Sequence, residues 1–296
     1  MKYDVIGNSA DRNAWLDARR TGIGASEIGI LLGESPWSSE FDLYARKVGE
    51  LEDPDLSDVE AVEWGVRLEP VVASVFEERT GRRIKLSGSL LRSREHPWAL
   101  CTEDAEDDEG NPVEIKTTSA FRADAWADGP PELYRIQNHH QMLVKEKPKG
   151  SIACLIGGQK FVWCDVERDE ELIRKIIYHG REFWRRVQEK DPPAPDGSDA
   201  TSKALAKLYP KDSGNSVILG DALIELDEQL VQLKAEKKRI DDEIRAAENA
   251  IKGAIGEAQI GALPNGITYS WKTQRREEYT VAAKEFRVLR RHARKG

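Results

Sequence analysis

The chain has 296 residues, a formal net charge of -8, 39% hydrophobic residues and three cysteines. That hydrophobic share suffices for a real core in one large or two smaller domains, and the acidity excludes indiscriminate, whole-surface binding of nucleic acid. No run of about eighteen apolar residues occurs, and MKYDVIGNSADRNAW has no apolar h-region, so neither a membrane span nor a signal peptide is expected and the expected location is the cytoplasm.

Charge is unevenly placed. Lys272 to Gly296 carries nine Lys/Arg against three Glu, a net of +6, which leaves the first 271 residues at -14. Cys101, Cys154 and Cys164 are odd in number and lack metal-ligand spacing, so buried free thiols are expected.

In chain order, residues 13–20 and 25–32 read as helices around the turn Thr21-Gly22-Ile23-Gly24. Ser26 sits near the start of the second helix, where free N–H groups favour an anion, and Arg19 lies across the turn. The two form either a phosphate pocket or a plain helix cap beside a solvated cation. Ser35-Pro36-Trp37 breaks the helix, residues 41–48 resume it, and residues 49–58 are a polar loop. From Val59 to Thr80 the positions Val62, Val66, Leu68, Val71, Val72, Val75 and Phe76 recur at helical spacing, and Gly81 follows as a cap. Glu69 stands on this helix four residues after Gly65; by itself it reads as a surface carboxylate.

Residues 83–87 and 90–93 read as strands, and Trp98 to Cys101 leads into CTEDAEDDEGNPVEIKTT, residues 101–118. The alternation Val113, Glu114, Ile115, Lys116, Thr117 puts Glu114 and Lys116 on one face of a strand and Val113 and Ile115 on the other. The turn signal DDEGNP folds the segment around Asp104 back against that strand. Asp104, Glu114 and the carbonyl of Ile115 would make an all-oxygen cage for a hard cation such as Mg2+, with Mn2+ as substitute. Lys116 would then orient or help deprotonate a water, or offset charge on a phosphorane, in phosphodiester hydrolysis. The bland alternative is an acidic surface hairpin with Lys116 paired to a neighbour.

Beyond it come a short helix over 119–129 and a longer one over 133–144, with Tyr134, Gln137 and Gln141 near one face and Ile136, His140 and Leu143 on another. On its own Gln137 reads as a helix-surface amide. His139 and His140 diverge around the helix and cannot chelate together, so core or surface histidines are expected. Residues 151–157 and 160–166 form a hairpin about Gly157-Gly158-Gln159, and 169–190 is a long amphipathic helix. DPPAPDGSDAT is a linker, which closes the core near residue 192.

The organisation read from the chain is a core over 1–191, a linker and short helix over 192–214, and a C-terminal region over 215–296. In that region Leu223, Leu226, Leu230, Leu233, Ile240, Ile244, Ala247 and Ile251 follow steps of three and four, with Lys237 in the interior seam. This is coiled-coil patterning, open to self-association, a hairpin of helices, or packing on a core of its own. Asn265-Gly266 signals a strand pair, and the basic end Arg287 to Lys295 either touches DNA phosphates or is a tail.

Four blocks resemble, in the family's order, the YqaJ-type viral recombinase family within the PD-(D/E)xK nuclease superfamily: WLDARRTGIGASEIGILLG from Trp15, EWGVRLEPVVASVFEERTG from Glu63, the Asp104/Glu114/Lys116 block, and YRIQNHHQMLV from Tyr134. Ordered agreement of several loose motifs is far more specific than any one. The resemblance implies a restriction-endonuclease-like α/β (α+β) core, a mixed central sheet flanked by helices, with a helical or coiled-coil appendage. It implies a Mg2+-dependent 5'-to-3' double-strand DNA exonuclease that makes 3' single-strand overhangs for recombination. Asp104, Glu114 and Ile115 then hold metal with Glu69 of the G-x3-E motif, Lys116 acts on the water, and Gln137 supports Lys116. Trp15, Arg19 and Ser26 receive the 5'-phosphate of a DNA end, with Thr102 where the family has Ser. The family further implies a ring-shaped homo-oligomer, commonly a trimer, and a single-strand annealing protein as partner. The alternatives are an endonuclease or flap nuclease of the same fold, or a non-catalytic acidic interaction protein.

Overall fold

The computed structural model describes residues 2–278, 280, 283 and 285–292. The chain divides into two compact units, residues 1–210 and 211–296. Among the described residues no helix is long and apolar enough to cross a membrane.

The first unit opens with strand β1 (Tyr3–Asn8), which composition did not announce, and helix α1 (Arg12–Arg19), capped by the Asp11 carboxylate accepting from the N–H of Ala14. Next come β2 (Ile23–Gly24), α2 (Ala25–Leu31) and α3 (Glu40–Lys47), whose Ser39 cap accepts from the N–H of Asp42. The long α4 (Glu60–Thr80) stops at Gly81, whose left-handed φ of 70° suits a residue without Cβ. Then follow β3 (Ile84–Leu86), β4 (Ser89–Ser93), β5 (Ala99–Thr102), β6 (Ala105–Asp107), β7 (Pro112–Thr118), a 3-10 turn (Ala120–Trp126), α5 (Glu132–Lys145), β8 (Lys149–Ile156), β9 (Lys160–Glu167), α6 (Glu170–Glu189) and α7 (Asp199–Leu208).

The expected mixed sheet is β3-β6-β7-β8-β9, parallel between β7 and β8 and antiparallel elsewhere. Helices flank it on both faces. Val113 and Ile115 of β7 pack with Val72, Ala73 and Phe76 of α4, while on the opposite face the neighbouring Glu114 meets α5. A second sheet, β1-β4-β5-β2, was not foreseen. Its β2 has only two residues and pairs parallel with β5, Ile23 beside Ala99 and Gly24 beside Leu100. Gly22 permits that approach, since a Cβ there would lie 2.5 Å from the carbonyl oxygen of Trp98.

Helix α5 sits between the two sheets and, among the described helices, holds the largest number of buried residues, with every residue from Asn138 to Lys145 buried. Its Ile136, Leu143 and Val144 share one apolar cluster with Ile28 of α2, Leu43 of α3, Leu91, Ala99, and Ile173, Ile176 and Phe183 of α6. Two readings change. The apolar stripe of α4 is buried only at Val72, Ala73 and Phe76, while Val62, Val66 and Val71 are exposed. The core also runs to Pro210 instead of closing near residue 192: α7 packs on α3, burying Thr201 and Ala204, with the Thr201 hydroxyl donating to the hydroxyl of Ser39 at 2.8 Å.

The second unit holds α8 (Ala222–Ile255) and the strand pair β10 (Ile260–Ala262) and β11 (Thr268–Ser270) around Asn265-Gly266. No residue of the 34-residue α8 is buried, so packing on a core of its own is not what the heptad pattern serves. Of the basic end, residues 293–295 lie outside the described residues.

Gly180 of α6 faces the ring of Trp98, and a Cβ there would overlap it. Exchanging a mid-helix Gly for Ala ordinarily gains up to about 1 kcal/mol, whereas overpacking costs about 1–3 kcal/mol. Gly180→Ala is therefore expected to lower the urea midpoint at unchanged m-value; a raised midpoint would show that the Trp98 ring yields.

Candidate active site

Strand β7 buries Glu114 completely, and a buried carboxylate must be hydrogen-bonded or paired. The Lys116 ammonium pairs with its Oε1, which also accepts from Nε2 of Gln137 at 2.6 Å; Oε2 accepts from Nε2 of Gln141. The Lys116 nitrogen lies 5.4 Å from the ring centroid of Tyr134, a cation-π contact. Alternation along β7 sets Glu114 and Lys116 side by side, and one face of α5 brings Gln137 and Tyr134 to them, a meeting that spacing alone did not foretell for Gln137.

Asp104 is held by its backbone and by its side chain. Its carbonyl accepts from the N–H of Ser87 at 3.1 Å, and the preceding Glu103 carbonyl from the N–H of Gly88 at 2.9 Å, which ties the segment to the β3–β4 turn. Its Oδ2 accepts from the N–H of Ile115 at 2.9 Å. Pairing of β6 with β7 ends at Ala105 beside Val113, so past that point the edge of β7 looks toward Asp104. The N–H and C=O of one strand residue point to the same side, so the Ile115 carbonyl faces Asp104 as well. A buried ion pair anchors the same segment from behind: Lys145 of α5 pairs with Glu103, both almost unexposed, and with Glu106 at 2.9 Å.

The carboxylates burden one another. Burial, then the charge of Asp104, pushes Glu114 up against the pull of Lys116. The same two causes push the half-buried Glu69 of α4 up to about 7. Burial works against the Lys116 charge, but Glu114 and then Asp104 outweigh it and hold the ammonium above its ordinary pKa. An all-oxygen donor set with mutually repelling carboxylates fits a hard divalent cation. Among the described residues no three His, Cys, Asp or Glu side chains form a ready-made metal cluster. Glu69 lies within the field of Asp104, and the fitting donors are Asp104, Glu114 and the Ile115 carbonyl.

Beside this site the strand β5 brings a second constellation. Nε1 of Trp15 donates to the Thr102 hydroxyl at 3.0 Å, and the Arg19 guanidinium stacks 4.7 Å from the Trp15 ring centroid. Arg19 also donates to the exposed Ser26 hydroxyl at 3.4 Å. Trp15, Arg19, Ser26 and Thr102 are thus gathered two residues from Asp104. Glu27 was not anticipated: it accepts from Arg19 at 3.1 Å, from Lys47 at 2.8 Å and from the N–H of Gly24 at 2.7 Å. The signal was present in Gly24-x-x-Glu27, where the third helical residue reaches back to the cap. Gln141 and Lys145 were missed as partners because buried polar side chains on a helix look like solvated ones in sequence.

Both histidines bond backbone groups. His139 Nε2 accepts from the N–H of Asp169 at 3.1 Å, so Nδ1 donates to the Arg135 carbonyl at 2.7 Å, and His140 Nε2 bonds the Leu100 carbonyl at 3.0 Å. Cys101, Cys154 and Cys164 are free thiols, the first two buried and the third half-buried.

The Bacillus subtilis (strain 168) protein YqaJ, an uncharacterized protein, is 36% identical to this chain over 272 residues, covering 89% of this chain and 85% of its own. This chain belongs to the YqaJ-like viral recombinase family. The family's profile matches residues 14–148, the stretch from α1 through α5 that holds every candidate residue. Among solved structures, the alkaline exonuclease LHK-Exo from Laribacter hongkongensis, alone and in complex with dAMP, superposes with a TM-score of 0.50 in both cases. The identities are 16% and 17%, over 60% of this chain and 93% of the other. The likeness shows a shared restriction-endonuclease-like fold.

Burial alone would push Glu27 up, but Lys47 and then Arg19 hold it down at about 2. For Lys47 burial wins and the ammonium is lowered. Since Glu27 is depressed from 4.5, its contribution to stability is present above about pH 4.5 and is lost as pH falls toward 2. The stability gap between the wild type and Glu27→Gln is expected to be widest near neutrality and to close over that acid range in urea titrations. A gap that does not vary with pH would mean that folding leaves the Glu27 pKa unchanged, and one that widens toward acid would mean that Glu27 is held neutral in the fold.

Proposed function

We propose that the chain is a Mg2+-dependent deoxyribonuclease, a 5'-to-3' exonuclease on double-stranded DNA ends that leaves 3' single-strand overhangs. The carrying observation is the hydrogen bond from Trp15 to Thr102, which ties an anion-receiving group of side chains to the strand that leads, two residues later, into Asp104. Membership of the viral recombinase family and the fold shared with LHK-Exo support the same reading.

Asp104, Glu114 and the Ile115 carbonyl would hold the cation, with Glu69 raising the local negative field; Mn2+ would substitute. When bound, the cation supplies a Lewis acid for phosphodiester hydrolysis. The chain's own groups do the rest. Arg19, Ser26 and Thr102 receive the terminal 5'-phosphate as charge-assisted donors, and Trp15 sets the plane of the guanidinium. That grip places the next phosphorus at Lys116. Water attacks there and gives up a proton to solvent, the bond from phosphorus to the 3'-oxygen breaks, that oxygen takes a proton from solvent to become the 3'-hydroxyl, and a 5'-mononucleotide leaves. Lys116, kept as an ammonium by Glu114 and Asp104, donates to the attacking water and offsets the charge that develops on the phosphoryl oxygens, while Gln137 steadies the Glu114–Lys116 pair.

Assembly as a homo-oligomer, a trimeric ring, and cooperation with a single-strand annealing protein rest on the family resemblance. The unburied heptad face of α8, where Leu226, Leu233 and Ile244 are about half exposed, supports self-association.

The test is incubation with Mg2+ of linear duplex carrying 5'-phosphate or 5'-hydroxyl ends, beside a closed circle. Loss of the phosphorylated linear duplex alone is expected, slowed about 10²- to 10³-fold in Lys116→Ala. Arg19→Ala should erase the preference for phosphate, and Glu114→Ala should end cleavage while sparing end binding in a filter assay. Cutting of the circle would make the enzyme an endonuclease; silence with every substrate and either metal would leave an interaction protein.

A further inference from the structure

Behind Glu114 lies a second tier of polar groups that the reaction above does not use. Gln141 and Asn138 of α5 are buried, 1% and 0% exposed. Nε2 of Gln141 donates to Oε2 of Glu114, and Nδ2 of Asn138 donates to Oε1 of Gln141 at 3.1 Å and to the Ser151 carbonyl at 3.4 Å. Chemistry fixes this chain's direction. An ionised carboxylate only accepts, so Gln141 must present its NH2 group to Glu114 and its oxygen to Asn138. The Ser151 carbonyl also only accepts, so Asn138 must present its own NH2 group to both oxygens.

Two features show that the arrangement is kept at a cost. Oδ1 of Asn138 is buried without a partner, a penalty that an apolar residue of similar shape would avoid. Gly150, at the start of β8, has no positive φ to explain it, yet a Cβ there would overlap the Asn138 amide. The strand gives up a side chain to admit Asn138, and Asn138 accepts an unpaired oxygen to face Gln141.

We propose that Asn138 and Gln141 are positioning residues: Asn138 fixes the amide of Gln141, which holds Oε2 of Glu114 and so sets the orientation in which that carboxylate faces Asp104. With Lys116 and Gln137 on Oε1 and Gln141 on Oε2, three donors occupy Glu114, and of the roughly four acceptor directions of a carboxylate one remains for a cation. Oε2 depends on Gln141 alone. This rests on the nuclease reading and deepens it.

The test is a double-mutant cycle. Asn138→Asp keeps the shape but presents only oxygens, which turns the Gln141 amide and aims its oxygen at Glu114. Gln141→Met keeps the volume and removes the donor. Each single variant is expected to lose about 10- to 100-fold in kcat, with KM for DNA unchanged, and a similar factor in Mn2+ affinity of the DNA-free protein, read by electron paramagnetic resonance. Because Asn138 acts through Gln141, Asn138→Asp should cost nothing further in the Gln141→Met background. The inference falls if Gln141→Met keeps wild-type kcat and Mn2+ affinity while melting like the wild type, or if the two losses multiply. A wild type that neither cleaves DNA nor binds Mn2+ would instead overturn the nuclease reading.

Discussion

A carboxylate inside a sheet-and-helix core is expensive unless every oxygen finds a donor, and Glu114 imposes that requirement on everything around it. The donors come from its own strand, as Lys116, and from the helix laid across it, as Gln137 and Gln141. This explains why α5 carries Gln141 and, behind it, Asn138 where an ordinary core helix would carry Leu and Ile; His139 and His140 instead satisfy backbone groups. Lys145 extends the same logic one turn on, where removing it would strand Glu103 as an unpaired buried charge, a loss of about 3–5 kcal/mol. The polar interior is therefore a set of separately satisfied groups, Glu114 with Lys116, Gln137, Gln141 and Asn138, and Lys145 with Glu103 and Glu106, set between the apolar clusters.

The parts of this design legible in the sequence were those with a period or a spacing. Two-residue alternation put Glu114 and Lys116 on one face of β7, a turn signal returned Asp104 to that strand, and the steps from Tyr134 to Gln137 and Gln141 marked one side of α5. Family resemblance added Glu69 and Thr102, which no spacing rule singles out, and chose the phosphate pocket over the plain helix cap for Arg19 and Ser26. What stayed hidden depends on neighbours remote in the chain. Strand β2 exists only because β5 offers it a parallel edge, and two residues carry no pattern of their own. The stripe on α4 promised burial along the whole helix, but a hydrophobic period says which face is apolar and not how much of that face is covered. Asn138 and the burial of Glu27 stayed hidden for a related reason, although the cap contact of Glu27 was legible in Gly24-x-x-Glu27: whether a polar side chain is solvated or buried is decided by its distant partners, Ser151 for Asn138 and Lys47 for Glu27.

The two constellations in the first unit share one mechanical element. Strand β5 receives β2 along one edge, takes the Trp15 hydrogen bond at Thr102, and continues without a break into the Asp104 segment that the β3–β4 turn clasps. A displacement of α1 would thus be felt at Asp104 through a few covalent bonds and not through soft packing. The second unit contributes nothing comparable: its long helix presents an apolar seam and paired surface charges such as Lys237 with Asp241, the pattern of an element meant to meet another surface.

Glu27 also sets a condition on the proposed phosphate grip. Arg19 is already engaged by a carboxylate, so a newcomer must compete for it. Displacing that carboxylate would cost the same for any phosphate, and would lower every affinity by one factor. A preference for the place where a strand begins would then rest on the terminal phosphate itself, which approaches two charges near neutral pH and has an additional free oxygen to bridge Arg19 and Ser26.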